Sequence, residues 1–330
     1  MEDAETAPSG ERSPTPTSEA SFTAAVERHR HELQVHCYRM TGSTSDAQDL
    51  VQETFLRAWR SRDRFEGRAS FRAWLYRIAT NACLDALQHS SRRRLVAVGG
   101  ADDLLAESPH LSPYPDVLLD QVTTGPDDAV VEREMIELTF LAAMQHLPPR
   151  QRAVLILRDV LGWTPAETAE LLDVSVTSAN SLVQRARSTL QRHRPSSGPG
   201  WSRRSTSDAE QELLRRYMDA HERGDAEAVI ALLDEGVRIT MPPERPYIGR
   251  DRSAEFFTDI FGAHSPGDWR LVPTGANRQP ATANYVRRPG DTVFRALSID
   301  VLRIEGDRLM EVNCFLGDHL FTAFGLPLAL

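Results

Sequence analysis

The chain has 330 residues, enough for two or three domains, and 41% of them are apolar, so sizeable cores are expected. It holds no run of about 18 apolar residues, which excludes an apolar membrane-spanning helix. Its three cysteines, Cys37, Cys83 and Cys314, are too far apart for a metal pair or a disulfide framework. The net charge of −9 hides an uneven distribution: residues 27–100 and 150–205 each carry about +5, residues 101–149 about −9 and residues 206–330 about −6. Screening limits exposed charges to roughly 8–10 Å, so these local balances govern attraction to phosphate.

Residues 1–21 are acidic and rich in Pro, Ser and Thr, and read as a disordered tail. They have neither the basic start nor the apolar stretch of a secretory signal, so a cytoplasmic, reduced, metal-free protein without cofactors is expected. Residues 22–98 form a helical block. In DAQDLVQETFLRAWR (46–60), Ala47, Val51, Phe55 and Ala58 or Trp59 recur at three- and four-residue steps, leaving Asp49, Gln52 and Glu53 off the apolar stripe. FRAWLYRIATNACLDAL (71–87) is a second amphipathic helix, with Phe71, Trp74 or Leu75, Ile78 and Cys83 toward the core. Residues 99–128 contain GG, SPH, SPYPD and TTGPDD and read as an acidic linker.

The helical period resumes over residues 129–194. There Thr164, Pro165 and Glu167 make a helix start with a capping box, and the helix runs to about Leu172. A turn at Asp173–Val174 leads to a second cap, Ser175, and a helix whose core face is Val176, Ala179, Val183, Ala186 and Leu190. Thr177, Ser178, Asn180, Ser181, Gln184, Arg185 and Arg187 face elsewhere. Short polar side chains toward the start of a helix with arginines further along suit a DNA major groove. Residues 195–207, with PSSGPGW, form a second linker. From residue 208 the pattern is α+β: helices over 208–223 and 225–234, then strand-like runs at 237–241, 269–276, 282–287, 293–304 and 308–315, with EGD (305–307) as a hairpin turn.

Taken together, DAQDLVQETFLRAWR with FRAWLYRIATNACLDAL resembles region 2 of the extracytoplasmic-function (ECF) sigma factors. Residues 147–190 resemble region 4 of the same family, and the ordered pair covers about 22–194. The resemblance implies that Asp49, Gln52 and Glu53 dock on the β′ subunit of core RNA polymerase. It implies that Arg68, Arg72, Trp74, Arg77 and Asn81 engage a melting −10 element, since melted bases need aromatic pockets and backbone arginines. Arg92, Arg93 and Arg94 would hold phosphates, and Thr177, Ser178, Asn180, Ser181, Gln184, Arg185 and Arg187 would read the −35 duplex. The family's commonest recognition helix carries Lys and Arg where this chain has Asn180 and Leu182, a departure that bears on the promoter sequence and not on the docking mode. The acidic linker would run through the polymerase interior, past β′ and β, and hold the two basic blocks apart.

Residues 208–330 resemble the SnoaL-like family, through ELLRRYMDAHERGDAEAVIALLDEGVRITMPP, Tyr247–Arg250 and late strands ending in NCF. That likeness implies a cone-shaped domain around an apolar pocket, for which Tyr247, Trp269, Asp300, Asn313 and His319 are candidates, with Glu311 nearby. The expected fold class is therefore multidomain: an all-α region 2 bundle, an all-α region 4 helix-turn-helix and a C-terminal α+β cone. The expected function is promoter-directed transcription initiation, with polymerase core and promoter DNA as partners, no membrane, and a C-terminal domain that modulates activity in cis, perceiving a small-molecule ligand. A DGGGR-like linker motif that such fused factors often carry is absent. Two rivals are a stand-alone helix-turn-helix regulator, which has no use for the DAQDLVQE helix, and a polyketide-cyclase or isomerase-like enzyme fused to a DNA-binding regulator.

Overall fold

A computed structural model of the chain describes residues 19–65, 67, 70–91, 111–121, 136–193, 208–242 and 244–330. Most of the expected tail, Arg68, Arg92, Arg93, Arg94, the linker 195–207, and 99–110 and 122–128 of the acidic stretch lie outside the described residues.

The first block comprises α1 (Glu19–Glu27), α2 (Arg30–Thr41), α3 (Thr44–Ser61) and α4 (Phe71–Ser91). Helix α1 begins inside the stretch assigned to the tail, because Phe22, Ala25 and Val26 bury one of its faces. Helix α2 is the centre of the bundle: every residue from Leu33 to Thr41 is buried. Inside the bundle His36 Nε2 meets Thr80 Oγ1 at 3.0 Å. Gly42 ends α2 at φ 75°, and a Cβ there would lie 2.9 Å from Leu111 Cδ1. Ser43 caps α3, accepting from the Asp46 N–H at 3.2 Å. The buried stripe of α3 is Ala47, Leu50, Val51, Thr54 and Ala58, with Phe55 and Trp59 at its margin. On α4, Leu75 takes the fully buried position and Trp74 is half-buried.

The second block comprises α6 (Leu138–Gln145), α7 (Pro149–Leu155), which runs into a π turn at Ile156–Val160, α8 (Pro165–Leu172) and α9 (Val176–His193); α5 (Asp116–Leu119) precedes it. The capping box forms as expected: the Glu167 N–H donates to Thr164 Oγ1 at 3.2 Å and the Thr164 N–H donates to Glu167 Oε2 at 2.8 Å. Thr164→Ala is expected to cost about 1 kcal/mol of stability, read by thermal unfolding. Asp173 turns the chain in the left-handed region at φ 52°, and Ser175 Oγ accepts from the Ser178 N–H at 3.1 Å to start α9.

The C-terminal unit holds α10 (Asp208–Glu222), α11 (Ala226–Ile230), β1 (Leu233–Thr240), β2 (Tyr247–Ile248), α12 (Arg250–Phe261), β3 (Asp268–Ala276), β4 (Gln279–Arg287), β5 (Arg295–Glu305), β6 (Arg308–Leu316) and α13 (His319–Ala323). Its six-stranded sheet has the order β2-β1-β6-β5-β4-β3 and is antiparallel except for the β1–β6 pair. Glu305 pairs with Arg308 across Gly306–Asp307, which bears out the EGD turn. Helix α12 was not expected. Phe256, Phe257, Ile260 and Phe261 give it an apolar face at helical spacing, and it packs on β1.

The expected separation of the two helical blocks is corrected. Helix α4 packs against α7 and α8, and one apolar core spans both blocks and continues onto a face of the C-terminal sheet. Residues 111–121 are not a solvated tether, because Leu111, Tyr114 and Leu119 are buried in that core. The junction is closed by the turn between β3 and β4. Asn277 and Arg278 both have positive φ, 56° and 59°, the conformation of a two-residue type I′ hairpin. Asn277 Nδ2 donates to the Tyr38 hydroxyl (2.8 Å) and the Ile136 carbonyl (2.7 Å), while its Oδ1 accepts from the Tyr114 N–H (2.8 Å). The Arg278 N–H donates to Asp116 Oδ1 at 2.7 Å, and its guanidinium pairs with Asp120. Gly275 makes room for this approach, since a Cβ there would lie 2.6 Å from Asp116 Oδ2.

Candidate nucleic-acid and protein interfaces

Helix α9 buries Ala179, Val183 and Ala186 and exposes Thr177, Ser178, Asn180, Ser181, Gln184, Arg185 and Arg187. Thr177, Asn180, Ser181, Gln184 and Arg185 follow steps of three and four, so they make one outward ridge of donors and acceptors. The side chains of Asn180, Gln184 and Arg185 make no intramolecular hydrogen bond among the described residues. Arg187 is committed elsewhere: its guanidinium grips Asp159 in two contacts, 2.6 and 3.0 Å, and that hydrogen bonding raises its pKa further.

On α4, Trp74, Arg77 and Asn81 fall on one face, with Arg77 and Asn81 exposed. Trp74 stacks with Phe65 (5.1 Å between centroids) and Phe71 (5.6 Å), a partly exposed aromatic cluster beside the loop that carries Gly67. Arg72 is not brought to that face. At 100° per residue it points away from Trp74, and it pairs with Glu32 of α2 at 2.7 Å and stacks over Tyr76.

On α3, Asp49 and Gln52 are exposed, and Glu53 is half-buried and paired with Arg57 at 2.7 Å. Leu56 completes this face at the next step and is 52% exposed. Sequence reasoning missed Leu56, although its spacing of seven from Asp49 was the available signal.

In the C-terminal unit a cavity of about 190 Å³ lies between α10, α12 and the sheet. Trp269 and Asp300 line it, as expected. Three other candidates do not. Tyr247 stacks on Phe256 outside the lining, and Asn313 points to the opposite face of β6, where it accepts from the Thr240 hydroxyl at 2.8 Å. His319 opens α13 beyond the last strand. Strand alternation explains Asn313: Val312, Cys314 and Leu316 face the cavity, so their neighbours cannot. Tyr217, His221 and Asn284 line the cavity and were not foreseen. Among the described residues no cluster of His, Cys, Asp and Glu is placed to hold a metal ion, and no helix is long and apolar enough to cross a membrane.

Comparison with known proteins matches residues 25–93 to Sigma-70 region 2, residues 137–190 to Sigma-70 region 4 and residues 214–312 to the SnoaL-like domain. The ECF RNA polymerase sigma factor SigG of Mycobacterium tuberculosis is 44% identical over 96% of this chain and 86% of its own length. SigJ of the same organism is 30% identical over 73% of each chain. A crystal structure of the Mycobacterium tuberculosis ECF sigma factor SigJ superposes with a TM-score of 0.58 at 23% identity, covering 94% of this chain and all of that one, which establishes a shared fold. With both helical blocks and the C-terminal domain thus matched along nearly the whole length, the chain belongs to the ECF RNA polymerase sigma factors and carries a SnoaL-like domain at its C-terminal end.

Proposed function

We propose that this alternative sigma factor docks core RNA polymerase through Asp49, Gln52, Glu53 and Leu56, meets the −10 element with Trp74, Arg77 and Asn81, reads the −35 element with the ridge of α9, and is restrained in cis by its C-terminal domain. It acts in the cytoplasm as an initiation factor, and the SnoaL-like domain works by contact and not by turnover. The restraint rests on one observation: the Asn277–Arg278 turn of that domain is hydrogen-bonded at once to α2, to the 111–121 segment and to the entry of the second helical block.

Distance supports the sign of this restraint. Elements named −10 and −35 lie about 25 base pairs apart, about 85 Å of duplex at ~3.4 Å per pair. Two helical blocks packed into one core cannot span that distance, so initiation requires their separation, and whatever closes the junction holds activity down. Asn277→Ala removes three side-chain hydrogen bonds of about 1 kcal/mol each and a residue suited to positive φ. Each 1.4 kcal/mol is a factor of ten in the closed–open equilibrium, so promoter-directed run-off transcription with purified core should rise about tenfold or more. A run-off yield equal to or below that of the parent chain would refute the restraint. Gln52→Ala is a separate expectation: affinity for core polymerase should fall about tenfold with no change in thermal unfolding, since Gln52 is exposed.

A further inference from the structure

The cavity in the C-terminal domain is slightly larger than the engineered ~150 Å³ cavity that takes one benzene ring. Its wall is largely apolar, with Tyr217, Ile239, Phe257, Trp269 and Val312 around it. Set into that wall are polar atoms that no group among the described residues satisfies: both ring nitrogens of His221, Nε1 of Trp269 and Oδ1 of Asn284. His221 is 3% and Asn284 1% exposed, so ordinary surface water does not explain them. Buried polar atoms are nearly always paired, and an unpaired set that lines one cavity is a template for what fills it.

The template has a definite character. Burial pushes the His221 pKa down to about 3, so its ring is neutral, with one nitrogen donating and the other accepting. Trp269 adds a donor and Asn284 an acceptor. Asp300, the carboxyl group in the wall, is already supplied: the Ser298 hydroxyl donates to it at 3.2 Å and the Tyr217 hydroxyl at 3.4 Å, with Asn284 and Cys314 also against it. Donors and acceptors are thus left over in equal number. His264, an exposed residue of the lining, already meets the Asp259 carboxylate at 2.5 Å, so no unpaired cation stands by to receive an anion. An ionised ligand would give up its hydration without a matching counter-charge.

We infer that this cavity binds a neutral, ring-sized, largely apolar molecule bearing a group that both donates and accepts a hydrogen bond, a hydroxyl above all. The inference is independent of the restraint described above, because it is read by binding and not by transcription. The full chain is titrated calorimetrically with p-cresol, toluene, benzoate and benzylamine. p-Cresol should bind saturably and at least tenfold more tightly than each of the others. Trp269→Phe, which keeps an aromatic ring and removes the N–H, and Asn284→Leu should each narrow the preference for p-cresol over toluene by several-fold, with folding verified by circular dichroism. Toluene equal to p-cresol, either ion binding best, no saturation by p-cresol up to about 10 mM, or a full preference retained in folded Trp269→Phe would each overturn the assignment. None of those results would alter the run-off behaviour of Asn277→Ala.

Discussion

Arg152→Met is expected to lower the unfolding free energy by about 3 kcal/mol or more, measured by urea denaturation of the full chain. Arg152 is 3% exposed at the corner between α6 and α7. Its guanidinium donates to the Met40 carbonyl at the end of α2, to Gln145 Oε1 (2.6 Å), to the Gln145 carbonyl (2.8 Å) and to the Leu147 carbonyl (3.3 Å). Met40 and Gln145 stand at the C-terminal ends of their helices, where carbonyls lack intrahelical partners and the helix dipole favours a cation. Replacing a buried ion pair by apolar residues is often nearly neutral, because both charges go together. Here three of the four acceptors are backbone carbonyls and stay behind, so each keeps a desolvation cost of about 1–3 kcal/mol. Arg152→Lys keeps the charge and loses the planar fork, so it should recover about half of the loss. A Met variant within about 1 kcal/mol of the parent would show that water satisfies these carbonyls and that the corner is open.

That arginine also shows where the sequence was readable and where it was not. The capping box at Thr164–Glu167, the turn at Asp173 and the ridge of α9 depend on residues three or four apart, so a reading of period and caps finds them. The face of α3 was legible for the same reason, short of Leu56. Arg152 lies seven residues from Gln145 but more than a hundred from Met40, and no local pattern ties them. The segment 111–121 misled for a related reason. SPYPD carries the breakers of a linker, and Leu111, Tyr114 and Leu119 have neither a helical nor a strand period, although all three are buried by tertiary packing. The Asn277–Arg278 turn escaped because its second residue is not glycine. The strain of Arg278 at positive φ is offset by Asp116 and Asp120, which come from the acidic stretch itself. Asp300 and Trp269 were found in the cavity wall, whereas His221 and Tyr217 read as ordinary residues of an amphipathic helix until the sheet closed over them.

Acidification from pH 7 to pH 5 is expected to destabilise the chain by up to about 4 kcal/mol through two histidines. Burial holds the pKa of His36 at about 3, with Arg39 adding to the effect, and burial alone does the same for His221. Both lie below the ordinary value of 6.5, so each ring is neutral in the folded chain and takes up a proton on unfolding. Their stabilisation is whole above pH 6.5 and is lost as the pH falls toward 3. At pH 5 the loss is about 1.5 pH units at 1.36 kcal/mol each, or about 2 kcal/mol per histidine. Asp300 works against this in the C-terminal domain. Burial raises its pKa, so this group gains stability as the pH falls, opposite in sign to His221. Glu32 does not enter this window, because its lowered pKa removes stability only below about 4.5. The acid sensitivity should therefore be concentrated in the helical core around His36, where Thr80 is its hydrogen-bond partner. His36→Gln keeps a neutral polar group there, and calorimetric unfolding at pH 7 and pH 5 should show about 2 kcal/mol of the pH dependence removed. An unchanged dependence in that variant would mean that the His36 ring is protonated inside the fold, and that the packing of α2 against α4 is looser than its burial implies.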